Sequence, residues 1–214
     1  MNKFGVVSGY IHNLINQGES QHLDFKQSIT DASKIAKTLA AYANSGGGTL
    51  LIGVKDNSRI SGVRDEDEQY MVGLAAKFYC KPEIEFQIKE WEVDGKTVLE
   101  CQIFDGKLRP YLAKDEGGKW LAYIRIDDQT LKASKIAVEV MKRSSAGTGT
   151  LIEYKEEEKV LFEYLSTHDH ISLYKFQKLI GGSRWKAQRV LINLISAKIV
   201  HYKRIESEEY YTLK

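Results

Sequence analysis

Long apolar runs are missing from this sequence. No stretch approaches the roughly 18 consecutive apolar residues that a membrane-spanning helix needs. The first 16 residues lack the basic start and long apolar centre of a secretory signal. A cytoplasmic protein with no membrane association is expected. Cysteine is scarce too: only Cys80 and Cys101 occur in 214 residues. Both sit in apolar surroundings without metal-type spacing, which points to buried free thiols and a reducing compartment. Excess charge is also lacking. With 31 basic and 29 acidic side chains the net charge is +2, so overall charge selects no partner and only local clusters can.

Catalytic and nucleotide-binding signatures are absent as well. The five histidines (His12, His22, His168, His170, His201) show no ligand spacing with acids or cysteines, and no Ser/His/Asp or Cys/His arrangement stands out. Gly46 to Gly53 is glycine-rich, yet no Gly-Lys-Ser/Thr follows. Its glycines lead from a helix into a strand, the reverse of a loop that presents a helix N-terminus to phosphate. There is therefore no ATP motif, and no cofactor is required.

What the chain does have is concentrated between residues 19 and 63. A short strand ending at Lys26 carries charge at Asp24 and Lys26. Asp31 or Ser33 caps a helix running to about Asn44, with Ile35, Leu39 and Tyr42 on one face. Gly46, Gly47 and Gly48 end it by allowing backbone conformations closed to other residues. Thr49 to Val54 is almost wholly apolar, as a strand covered on both faces should be. It delivers Lys55 and Asp56 to a turn, before a short strand Ile60 to Val63. Three carboxylates (Glu19, Asp24, Asp56) and two lysines (Lys26, Lys55) are thus expected at one sheet edge. The cluster reads three ways. It can hold Mg²⁺ or Mn²⁺ on oxygen ligands, contact a phosphate backbone, or form surface ion pairs worth only about 0–1 kcal/mol each.

Further along, a helix is expected from about Glu66 to Tyr79. Segments Ile84 to Val93 and Lys96 to Phe104 flank Asp94-Gly95, a hairpin signal. Trp120 to Ile126 reads as a strand and Ser134 to Arg143 as a helix. The small polar stretch 144–152 reads as a linker. Beyond it, helices over Glu156–Ser166, Ser172–Ile180 and Arg184–Ala197 precede alternating segments around residues 206–209. That is the pattern of a winged helix-turn-helix at 153–214, whose third helix would enter a DNA major groove. From Ser183 to Arg204 there are six Lys or Arg and no acid. Arg184, Lys186, Arg189, Lys203 and Arg204 are candidate phosphate contacts, and Trp185 can stack on bases.

The ordered set Glu19, Asp24-Phe25-Lys26, Ala41-Tyr42-Ala43-Asn44, Gly46-Gly47-Gly48, Leu51-Ile52-Gly53-Val54, Asp56 and Gly62-Val63 resembles the Schlafen core, an AlbA-like domain. The later Tyr123-Ile124-Arg125 is similar to that family's Tyr-x-Arg strand. The resemblance covers about residues 10–143. It implies an α+β fold with a mixed sheet over 1–143 that binds DNA or RNA, and it adds Arg125 to the candidate contacts. In some Schlafen proteins a three-acid site cuts RNA with a divalent metal, and those acids map onto Glu19, Asp24 and Asp56. Here Asp24 stands where Glu is usual, and Lys55 replaces the first acid of an Asp-Asp pair. Both departures tilt the cluster toward binding. The expected function is that of a DNA-binding transcriptional regulator resembling bacterial ones, dimeric. The alternative is a ribonuclease that uses the three acids with Mg²⁺ or Mn²⁺.

Overall fold

Asp31 sets the start of the helix around which the first part of the chain is built. Its side chain accepts from the backbone N–H groups of Ser33 and Lys34, satisfying donors that a helix start leaves unpaired. In the computed structural model, which describes residues 3–63, 67–147, 154–205 and 208–213, the chain is α+β. It divides into two compact units, Met1–Ala133 and Ser134–Lys214.

In the first unit, helix α1 (Lys3–Gln17) leads to strand β1 (Leu23–Lys26), helix α2 (Ala32–Asn44) and strand β2 (Gly48–Ile52). Helix α3 (Asp67–Phe78) and strands β3 (Cys80–Lys81), β4 (Phe86–Val93) and β5 (Lys96–Ile103) follow. Strands β6 (Leu112–Lys114), β7 (Trp120–Ile126) and β8 (Gln129–Lys132) complete it. One sheet has the order β1-β2-β5-β4, with β1 and β2 parallel and the other pairs antiparallel. The other runs β3-β6-β7-β8, all antiparallel.

Helix α2 is buried nearly all round because small residues (Ala36, Ala40, Ala41, Ala43) alternate with Ile35, Leu39 and Tyr42. Leu50 and Ile52 of β2 join α2 in the larger core. Leu51, between them, packs with Ile11 and Ile15 of α1 and with Phe25. The apolar run of β2 thus serves two cores, one on each face. Gly46 and Gly47 both have positive φ, 93° and 79°. A Cβ on Gly47 would lie 2.8 Å from the Ile103 carbonyl oxygen, and one on Gly48 would enter the Tyr42 ring. The hairpin turns at Asp94 and Gly95, at φ 53° and 70°, as the dipeptide predicts. The strand expected over Ile60–Val63 is reduced to a single bridge between Val54 and Ile60.

The second unit begins with helix α4 (Lys135–Ala146), capped by Ser134, whose Oγ accepts from Ala137 N–H. Ile136 is buried with Leu161 and Leu191, and Arg143 donates to Asn193 Oδ1 at 2.7 Å. These contacts place α4 in the second unit, so the boundary expected at 143 falls inside a helix. Residues 144–146 of the expected linker are helical; residues 148–152 lie outside the described ones. After them come α5 (Glu156–Leu165), strand β9 (Ile171–Ser172), α6 (Leu173–Leu179) and α7 (Arg184–Ser196). Strands β10 (Val200–Ile205) and β11 (Glu208–Leu213) form an antiparallel hairpin, and β9 adds to β11 as the third strand. Phe176, Leu191, Leu194 and Tyr211 fill this unit's core.

Candidate functional sites: a buried charge cluster and an exposed basic helix

The alternating charges of β1 build a cluster, but not the expected one. Asp24 is 4% exposed and faces Arg125 of β7, also 4% exposed. Arg125 Nη2 donates to Asp24 Oδ1 at 3.0 Å and to the Ser20 carbonyl at 3.2 Å; Nη1 donates to Thr130 Oγ1 at 3.2 Å. The guanidinium carbon lies 5.2 Å from the centre of the Tyr42 ring, within cation–π range. Lys26 Nζ stands 2.6 Å from Asp24 Oδ2 without hydrogen-bond alignment, and donates instead to the Phe25 carbonyl. Glu19 Oε1 accepts the Phe25 N–H at 2.8 Å. Its carboxyl is held above the ordinary range, chiefly by local burial and further by the charge and hydrogen bond of Asp24, against the lowering effect of that Phe25 N–H. Two acids and two cations therefore meet along β1.

Lys55 and Asp56 do not join them. Both are exposed in the turn after Val54. Among the described residues no group of three His, Cys, Asp or Glu side chains is placed to hold a metal ion. Asp24 turns both oxygens toward cations and so offers no free carboxylate to Mg²⁺ or Mn²⁺. Arg125, expected as a nucleic-acid contact, is instead walled in. Its role is to tie β7 to β1.

Asn44, at the end of α2, is a second buried hub. Its Nδ2 donates to the carbonyls of Tyr111 and Tyr123, and its Oδ1 accepts from Tyr111 N–H, all at 2.8 Å. In the sequence Asn44 stands out only as a motif residue, with no sign of this role. The partners lie 67 and 79 residues away, beyond any local pattern. Cys80 and Cys101 are buried as expected, and burial pushes both thiols up to about 12. Such thiols are unreactive.

The basic residues of the second unit are differently placed. Arg184, Trp185, Lys186 and Arg189 are all exposed at the start of α7, where Ser183 Oγ accepts from Lys186 N–H. Ala187, Val190, Leu191 and Leu194 face the core on the opposite side. Trp185 is 66% exposed, and the Arg189 guanidinium lies 5.5 Å from its ring centre. On α6, the Lys178 ammonium lies 5.4 Å from the ring centre of Tyr174, also exposed. Lys186 pairs with Glu157 of α5, and this bond holds the Glu157 carboxyl below its ordinary range. Lys203 is exposed on β10; Arg204 pairs in register with Glu209, its side chain lying outside the described residues. From Ile171 to Ile205 there are eight Lys or Arg and no acid.

Among the described residues no helix is long and apolar enough to cross a membrane. No curated protein matches the sequence. A crystal structure of the DIP2311 protein from Corynebacterium diphtheriae is similar at 17% identity with a TM-score of 0.46. The match covers 73% of this chain, which spans about a third (32%) of that one. The family model of the Schlafen AlbA_2 domain matches residues 19–134, ending where the first unit ends. That match takes in more than half of the 214 residues, and the chain belongs to the Schlafen AlbA_2 family.

Proposed function

We propose that this protein binds duplex DNA through its second unit, a winged helix-turn-helix, and acts as a transcriptional regulator. The carrying observation is the exposed start of α7, where Arg184, Trp185 and Arg189 project from a segment without acids. Family membership supports a nucleic-acid-related role. The element order supports the finer reading. Helix α6 and helix α7 are joined by a tight turn through Gly181 at φ 58°, and the β10–β11 hairpin follows as the wing. A helix presented by its N-terminal turn, with its C-terminal half in the core, is the docking geometry of a recognition helix. Arginines there reach phosphates or guanine edges, and Trp185 meets a thymine methyl or the sugar edge. Glu157 restrains Lys186, which leaves Arg184 and Arg189 as the primary cations. A dimer, with two such helices one turn of DNA apart, is part of this proposal.

The test is binding of the full chain to random-sequence duplex by fluorescence anisotropy across salt. Counterion release predicts a loss of about 10³-fold or more between ~50 and ~200 mM salt if six or more phosphates are contacted. Affinity that ignores salt would contradict the proposal.

A further inference from the structure

Helices α6 and α7 carry the same surface arrangement twice. Tyr174 and Trp185 are 63% and 66% exposed, and each is followed four residues later by a cation on the same face of its helix. The Lys178 ammonium lies 5.4 Å from the centre of the Tyr174 ring, and the Arg189 guanidinium 5.5 Å from that of Trp185. Both spacings are within cation–π range. The two pairs flank the turn through Gly181 and Gly182, in a stretch from Ile171 to Ile205 that holds no acid. The chain's other tryptophans, Trp91 and Trp120, are partly buried. Trp185 is thus the tryptophan left to water, and it stands where a polyanion would be held.

An intact duplex does not use such rings fully. Its bases are stacked on one another, its grooves present only base edges, and its phosphates take the arginines. An indole face matches another flat face, which a DNA strand offers only where a base is unpaired. We infer that α6 and α7 bind DNA containing unpaired bases in preference to an intact duplex. The inference rests on α7 as the DNA-binding element, as proposed above, and adds the state of the DNA that it selects. Trp185 stacks on one unpaired base, while Arg184 and Arg189 hold the flanking phosphates. Tyr174 offers a second platform, with Lys178 beside it for the same strand. Every base has a π-face, so stacking selects an unpaired strand and not a sequence. Each stacked base strengthens binding roughly 5–150-fold, and a base without a pairing partner costs least to draw out.

The test is fluorescence anisotropy of the full chain with an intact duplex and with the same duplex carrying a short run of unpaired adenines in one strand. The unpaired probe is expected to bind ~10-fold or more tightly and to quench indole emission more than the intact one. Trp185→Ala should bring the ratio of the two affinities close to one and abolish the extra quenching, whereas Trp185→Phe, which keeps an aromatic face, should retain a ratio of several-fold. The ratio is the readout because a general loss of DNA binding leaves it unchanged. Equal affinity of the parent for the two probes, or a preference that survives Trp185→Ala, overturns the inference. Equal, salt-dependent binding of both probes leaves the duplex reading standing while this one falls. Binding of the unpaired probe alone supports this inference and overturns the duplex reading, and binding of neither overturns both.

Discussion

Replacing Arg125 by Met is the sharpest probe of the first unit. The substitution keeps an unbranched side chain of similar length and removes the charge. Asp24 then loses its bond to Nη2 but keeps Lys26 at 2.6 Å, a lysine whose side chain is 39% exposed. Removing one partner of a buried pair costs about 3–5 kcal/mol. Lys26 offsets part of this, while removing the cation from the Tyr42 ring adds about 0.5–2 kcal/mol. The expected loss is therefore near the lower end, about 3 kcal/mol. For a chain of this size each kcal/mol shifts the melting temperature by roughly 2–4 °C, so a fall of about 6–12 °C is expected. Urea unfolding should move its midpoint with little change in slope. The double variant Asp24→Asn/Arg125→Met should lose at least about 1 kcal/mol less than the sum of the singles, because the two residues act as one unit. A loss below about 1 kcal/mol for Arg125→Met, or strict additivity, would refute the assignment of Arg125 as a structural tie.

Three further outcomes are expected. Asn44→Ala removes three buried hydrogen bonds and should destabilise the protein by about 2–4 kcal/mol in urea unfolding, with duplex binding at permissive temperature unaltered. Cys80 and Cys101, with thiols pushed up to about 12, should resist iodoacetamide at pH 8 until denaturant is added; rapid labelling of the native chain would contradict their burial. Glu157→Gln should free Lys186 and raise duplex affinity a few-fold, most at low salt. The folded carboxyl of Glu157 is depressed by its bond to Lys186. Its contribution to stability is thus present above the unfolded carboxylate pKa and lost as pH falls through the folded value. The variant should consequently show a smaller acid-side decline in melting temperature than the parent.

Local features of this chain were readable because their causes are local. The double-buried strand β2, the Asp94-Gly95 hairpin, the cap at Asp31 and the glycine-terminated α2 each follow from adjacent residues. Strands β3, β6 and β8, of two to four residues, carry too little pattern to be seen and form only by pairing with distant partners. Helix α4 was visible, but its membership was not, since Ile136 and Arg143 declare it through contacts with Leu191 and Asn193. The charge cluster shows the same limit. Motif spacing placed Glu19, Asp24 and Lys26 together, yet Asp24 finds its chief partner 101 residues away in Arg125. That single pairing converts an expected ligand-binding edge into an interior tie. Glu68 reads as an ordinary acidic residue in a helix's first turn, and only its burial sets it apart.

The central claim is that α7 carries the nucleic-acid contacts and the Asp24–Arg125 pair does not. The most direct measurement is the slope of log affinity against log salt for duplex DNA, taken for the full chain, for Arg184→Ala/Arg189→Ala, and for Arg125→Met at a temperature where it stays folded. The α7 double variant should bind more weakly across sequences and lower the slope by about two, one for each phosphate no longer neutralised. Arg125→Met should leave both affinity and slope at parental values. An unchanged slope in the double variant, or a reduced slope in Arg125→Met, would contradict the account.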